Sequence, residues 1–204
     1  MVNGKPAAFR VSLPVRPRLS LFWGTGFAFS LFLFVHLFNS AKAYSQCKSI
    51  KNDLINNVNT KNAVQQLASL QPILGGSVFY WTTYADAFLI NKRYPEGLDK
   101  LKNAATYSCA PELNLTLGKT YVLTNQYAAA EKVFILASNI QPHHYLPRYA
   151  LMKMYTRMND VDNTVKMARE IMTMETKVAS DKVDEFKNDA KSTIQLCLDQ
   201  KLGK

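Results

Sequence analysis

The sequence lacks the short motifs that announce an enzyme. It holds no Gly-x-Ser-x-Gly elbow, no phosphate-binding loop and no dinucleotide fingerprint, and its Gly75-Gly76 pair is a turn signal between helical stretches. Cysteine is scarce: Cys47, Cys109 and Cys197 have no close spacing and cannot all pair, which argues against a disulfide framework or a zinc site. Small buried hydrophobes is the simpler role for them. Asp86, Glu96, Asp99 and Glu112 are spread through helical segments without an acid and base couple. His143-His144 is the only histidine pair, and no further ligands are arranged near it in the sequence. The residues therefore predict no catalytic centre, no metal and no cofactor.

A dense cationic stripe is missing too. The chain carries 25 Lys+Arg against 15 Asp+Glu, a formal charge of +10. Lys5, Arg10, Arg16 and Arg18 precede an apolar run with no acid among them, and the other cations are scattered among Asp and Glu. Tracking phosphates needs clustered cations with stacking aromatics, so a nucleic-acid partner is not expected.

Charge is absent altogether from Leu19 to Phe38, LSLFWGTGFAFSLFLFVHLF, where His36 is the only titratable group. About 20 such residues are what a helix needs to cross a bilayer core, and a soluble helix of that length normally shows a polar stripe. We read residues 1–18 as a basic flank and 19–38 as a transmembrane helix. Arg10, Arg16 and Arg18 place the flank in the cytoplasm by the positive-inside rule, leaving the rest periplasmic on a single-pass inner-membrane protein. Lys42, Lys48 and Lys51 give nearly the same count on the far side, so the cytoplasmic face stays open as an alternative. A third is secretion after cleavage following Ala43, because Ala41-Lys42-Ala43 fits the small-x-small pattern, although the apolar core is longer than in usual signal peptides.

Sliding the region after Val78 against itself gives matches at 33 and then 34 residues. Tyr84-Ala85 aligns with Leu117-Gly118 and Leu151-Met152, Phe88 with Tyr121 and Tyr155, and Tyr94 with Tyr127 and Val161. In the second half, Gly97 aligns with Ala130 and Thr164, Leu101 with Phe134 and Ala168, and Ala104 with Ala137 and Ile171. Small residues recur where two helices cross closely, and Pro142 ends the middle unit because it cannot continue a helix. The middle unit, Pro111 to Pro142, resembles a tetratricopeptide repeat at Leu117, Gly118, Tyr121, Tyr127, Ala130, Phe134, Ala137 and Pro142. Gly97 and Thr164 depart at the small-residue position, so looser helix contacts are expected in the flanking units.

The expected fold is all-α, a tetratricopeptide-type helical-hairpin solenoid preceded by one transmembrane helix. Residues 39–76 form a degenerate leading hairpin, with helices Ala41 to Asn56 and Asn62 to Leu70 separated by Asn57-Val58-Asn59-Thr60 and closed by Pro72 and Gly75-Gly76. Residues 77–178 hold three repeats. Residues 179–204 form a capping helix and tail, with a Ser180 or Asp181 cap and an apolar stripe of Val183, Phe186, Ala190, Ile194 and Leu198. Asn114-Leu115-Thr116 fits a glycosylation sequon but falls inside a predicted helix.

This order of elements, with the segment Pro142-His143-His144-Tyr145-Leu146-Pro147-Arg148-Tyr149-Ala150-Leu151-Met152-Lys153-Met154-Tyr155 and the later Lys177-Val178-Ala179-Ser180, resembles the carboxy-terminal tail of Bacteroidetes-type O-antigen ligase/polymerase family membrane proteins. The resemblance runs from about Leu19 to Leu198. It implies a link to surface-polysaccharide assembly, but the family's catalytic part is a bundle of many spanning helices, so no catalytic residue carries over.

First helices of such solenoids line a concave groove. Projection at 3.6 residues per turn points Asp86, Ile90, Glu112, Lys119, Leu123, Tyr149, Lys153 and Arg157 toward it. Lys119 and Lys153 fall at equivalent positions and suit a partner's carboxylates or an anionic glycan, with Tyr149 adding a flat contact. The reading that follows is a non-catalytic scaffold with a protein or peptide partner in its groove and the membrane held by 19–38. Alternatives are an accessory subunit or remnant of an O-antigen ligase/polymerase, and a general peptide-binding module.

Overall fold

The computed structural model describes residues 17–58, 60–175 and 180–202. The expected positions Lys5, Arg10, Arg16, Asn59 and Lys177-Val178-Ala179 lie outside the described residues. Among those described, nine helices and no strands occur: α1 (Pro17–Ile55), α2 (Thr60–Leu74), α3 (Val78–Ile90), α4 (Tyr94–Ala105), α5 (Pro111–Leu123), α6 (Tyr127–Ile140), α7 (Tyr145–Arg157), α8 (Val161–Thr173) and α9 (Asp181–Leu202). The chain divides into two units, Met1–Lys42 and Ala43–Lys204, and the boundary falls inside α1.

In the first unit, α1 exposes apolar side chains around its whole circumference. Phe27 is 74% exposed, Phe34 66% and Leu37 66%, and Phe29, Phe32 and Phe38 behave alike. Its stretch from Gly26 to Ile55 is long and apolar enough to cross a membrane by length and composition. No helix boundary separates the apolar run from the expected helix at Ala41; the two are one continuous helix. Ala43, Cys47, Ile50 and Leu54 recur at helical spacing and are all buried, so packing holds the second half of α1 helical through the weak formers Asn39 and Ser40.

In the second unit α3 to α8 form three hairpins, with the end of α1 and α2 as a leading hairpin and α9 as the closing helix. The second helices begin at Tyr94, Tyr127 and Val161, the positions the 33 and 34 spacing picks out. Leu101, Phe134 and Ala168 are buried, as are Ala104, Ala137 and Ile171, so the repeat residues are the core. Tyr80 donates its hydroxyl to the Leu67 carbonyl at 2.9 Å, and Trp81 donates its indole N–H to the Gly75 carbonyl at 2.7 Å. These two bonds satisfy the polar ends of large buried rings and tie α3 to the leading hairpin.

Looser crossings are expected at Gly97 and Thr164, and at Gly97 α3 and α4 instead approach closely. A methyl group on Gly97 would stand 2.7 Å from Leu89 Cδ2, so the end of the Leu89 side chain would have to shift to admit it. Thr164 is buried and donates its hydroxyl to the Asp160 carbonyl at 2.7 Å, which satisfies the one polar atom it brings inside. In the middle hairpin the Phe134 ring occupies the place of the missing Gly118 side chain. The capping stripe also needs correction. Leu198 is 42% exposed, and Cys197 and Thr193 are buried instead, because the inward face follows Ala190, Thr193 and Cys197. Pro72 sits in the last turn of α2 and the helix continues to Leu74.

The turns after the first helices share one geometry. Asn57, Lys92, Asn125 and Asn159 all have φ between 56° and 59°, the left-handed region. Each donates its amide to the carbonyl three residues back, as Asn125 does to Val122 at 3.1 Å, and the next amide reaches five back, as Gln126 does to Tyr121 at 2.8 Å. This paired closure satisfies carbonyls that the helix end would leave free. Asparagine tolerates the left-handed region and lysine does so poorly. We expect Lys92→Gly to stabilise the chain by about 0.5–1 kcal/mol and Asn159→Val to destabilise it by about 1–2 kcal/mol in denaturant unfolding followed by circular dichroism. Equal midpoints for both variants and the parent chain would refute the strain argument.

Candidate binding face of the first helices

The closure fixes a common register. The last helical residue stands two before the left-handed one in each case: Ile55, Ile90, Leu123 and Arg157. Four residues earlier, one helical turn back on the same face, stand Lys51, Asp86, Lys119 and Lys153. The first helices therefore present two parallel rows, one apolar until it ends at Arg157 and one charged.

In the charged row most rungs are occupied from within the chain. Lys51 lies 4.9 Å from the Phe79 ring centroid, and its charge acts on Asp86. Burial holds the Asp86 carboxyl above its ordinary value near 3.8, and Lys51 opposes that shift. Lys153 Nζ meets Asp189 Oδ2 of α9 at 2.7 Å, an ion pair, and lies 5.4 Å from the Tyr149 ring centroid. Burial works to lower the Lys153 pKa, but Asp189 and Tyr149 raise it more, so the ammonium ends above its usual range. Tyr149 in turn packs on Phe186 of α9 with centroids 4.6 Å apart.

Of the residues the repeat projection pointed at the groove, the structure thus separates two groups. Tyr149 and Lys153 are engaged by α9, and Asp86 is half-buried. Ile90, Glu112, Lys119, Leu123 and Arg157 are exposed, and neither Lys119 nor Arg157 makes an ion pair or hydrogen bond among the described residues. Lys51 and Ile55, on the leading hairpin, belong to the same rows and escape a projection that starts at Val78. Counting back from Lys92 to Asn57 finds them.

Beyond α7 the face turns acidic. Tyr149 and Asp181, Asp184, Glu185 and Asp189 line an open hollow of about 670 Å³ along α9. Like-charge repulsion makes this end a poor seat for an anionic glycan. The sequon asparagine is unsuited to carry a glycan: Asn114 is 4% exposed and donates its side-chain amide to the Cys109 carbonyl at 3.2 Å. His143 and His144 are both exposed in the turn before α7.

The fold is that of a tetratricopeptide-type helical repeat protein. Among solved structures the chain is similar to MamA of AMB-1, with a TM-score of 0.56 at 14% identity over 78% of this chain and 87% of that one. It is similar also to MamA of MSR-1, again with a TM-score of 0.56 at 14% identity, over 77% of this chain and 91% of that one. No family model and no curated protein matches the sequence.

The half-buried Asp86 has a consequence in pH. Its folded form keeps the proton to higher pH than the unfolded chain does, so stability falls as pH rises from near 3.8 through the folded pKa. Asp86→Asn should remove that contribution. Thermal melts from about pH 4 to 7 are expected to show the variant losing less stability with rising pH than the parent, and parallel profiles would refute it.

Proposed function

We propose that the chain is a non-catalytic interaction scaffold held at a membrane, whose first-helix face docks a segment of a partner protein. The observation that carries this is the register of the rows: the same face repeats an exposed apolar residue at three successive rungs and leaves Lys119 and Arg157 without a partner among the described residues. Repeat solenoids use such repeated faces for extended contacts.

The membrane part of the proposal rests on α1. A helix exposing Phe27, Phe29, Phe32, Phe34 and Phe38 to water would be an aggregation hazard, and a bilayer relieves it. Cleavage after Ala43 is the less favoured alternative, since Ala43 is 2% exposed and packs in the core of the second unit. The proposed orientation puts the repeats in the periplasm, from the basic flank. The proposed setting is surface-polysaccharide assembly, following the resemblance to the O-antigen ligase/polymerase tail, with the transferase supplied by a separate polytopic chain. Tethering raises the effective concentration of the docking face near such a partner, so a weak contact suffices.

Lys153 is a poor probe of this face, because a glutamate there would oppose Asp189 and damage the closing helix. The informative variant is Lys119→Glu with Arg157→Glu. Crosslinking in native membranes followed by purification of the full chain is expected to recover a polytopic glycan transferase, and the double variant to cut recovery about tenfold with helical circular dichroism unchanged. Undiminished recovery by the double variant would rule out this docking face.

A further inference from the structure

A groove between α8 and the far half of α9 follows from the length of the closing helix. The first helices α3, α5 and α7 each run 13 residues, whereas α9 runs 22. One more period from Asn159 falls on Thr193, yet no turn interrupts α9 there and Thr193 is buried. The helix therefore continues past the length of a first helix. Its extra turns carry Cys197 and Leu198 to α8, where they wall an open groove of about 510 Å³.

The groove follows one stripe of α8 from Val161 to Thr173, about 18 Å at 1.5 Å per residue, and its chemistry is segregated along that axis. Lys187 donates to the Met174 carbonyl at 3.2 Å, so α9 starts beside the end of α8 and runs back along it. That direction sets Cys197 and Leu198 at the Val161 end. Val161 and Val165 are half-buried, Cys197 is buried and Leu198 is 42% exposed, so this end is apolar. Lys166 and Arg169 come next along the stripe. They stand three residues apart, as neighbours on the helix surface, and both are exposed. Neither side chain makes an ion pair or hydrogen bond among the described residues. The acids of the groove are already engaged: Glu170 pairs with Arg148 at 3.5 Å, and Asp162 has an interaction of its own. Two neighbouring cations with no acid left to them repel each other, and an anion held by both relieves the repulsion.

A partner helix needs apolar seats that recur along the whole groove, and here they gather at one end. A small inorganic anion would use the two cations and leave the valines and Leu198 against water. An apolar tail followed by one anionic head matches both ends. We infer that this groove binds a single-chain anionic amphiphile such as an alkyl phosphate, its tail on Val161, Val165 and Leu198 and its head between Lys166 and Arg169. The site is separate from the first-helix face and does not rest on the docking reading.

The test uses the full chain in phosphatidylcholine nanodiscs, where no detergent competes. The probe is dodecyl phosphate with a diazirine in its tail, photolysed and mapped by mass spectrometry, with each adduct counted against total labelling of the chain. Adducts are expected on the peptides that hold Val161, Val165 and Leu198. Excess unlabelled dodecyl phosphate is expected to cut their yield about tenfold, and dodecanol or inorganic phosphate by less than about twofold. Lys166→Glu with Arg169→Glu is expected to lower the yield about tenfold with helical circular dichroism unchanged, and Val165→Ser to lower it several-fold. Labelling of these peptides that ignores the double variant, or that dodecanol suppresses equally, would overturn the site. Suppression by inorganic phosphate as strong as by dodecyl phosphate would leave a plain anion contact and overturn the amphiphile.

Discussion

The architecture depends on one backbone arrangement, the paired amide closure that ends each first helix on a left-handed residue. It occurs at Asn57, Lys92, Asn125 and Asn159, and it sets where one helix stops and the next begins. Because the stop is fixed, residues counted back from it fall on the same face in every hairpin. The buried repeat residues fall on the core side of each hairpin, and the exposed apolar and charged rows acquire a common register. A single slipped turn would rotate the following helix and break both the core and the rows.

Closure of the array by α9 shapes the face as much as the repeats do. A terminal hairpin without a neighbour would expose its apolar side, and α9 covers it with Ala190, Thr193 and Cys197. The same helix takes Lys153 through Asp189 and Tyr149 through Phe186, so the charged row is shortened from its carboxy-terminal end. Lys119 is left as its open cation, with Arg157 at the end of the neighbouring apolar row, beside an acidic wall that disfavours anionic ligands farther along. The charges left open on this face are thus set jointly by what the repeats display and by what the closing helix consumes.

The repeat positions were legible in the sequence because burial and periodicity are both written there. Tyr94, Tyr127 and Val161 start helices as the spacing requires, and Ala130, Phe134 and Ala137 are core. The helix expected to start at Ala41 has no boundary there: it is the second half of α1, whose Ala43, Cys47, Ile50 and Leu54 recur at helical spacing and are buried. At Gly97 the sequence suggested looseness where the Leu89 side chain imposes a tight fit. The three asparagines at the turns were a readable signal of the left-handed closure, and Lys92 obscured the pattern by standing at the fourth.

The sequence alone determined the helical class, the 33 to 34 residue period, the apolar segment before the repeats and the residues of the hairpin cores, since these follow from patterns local to one or two helices. Only the tertiary structure decided which of the projected first-helix residues are open. Lys119 and Lys153 hold equivalent repeat positions and look alike in one dimension. They differ because α9 returns in space to one of them and not the other, and a contact between residues 36 positions apart follows from packing, not from period.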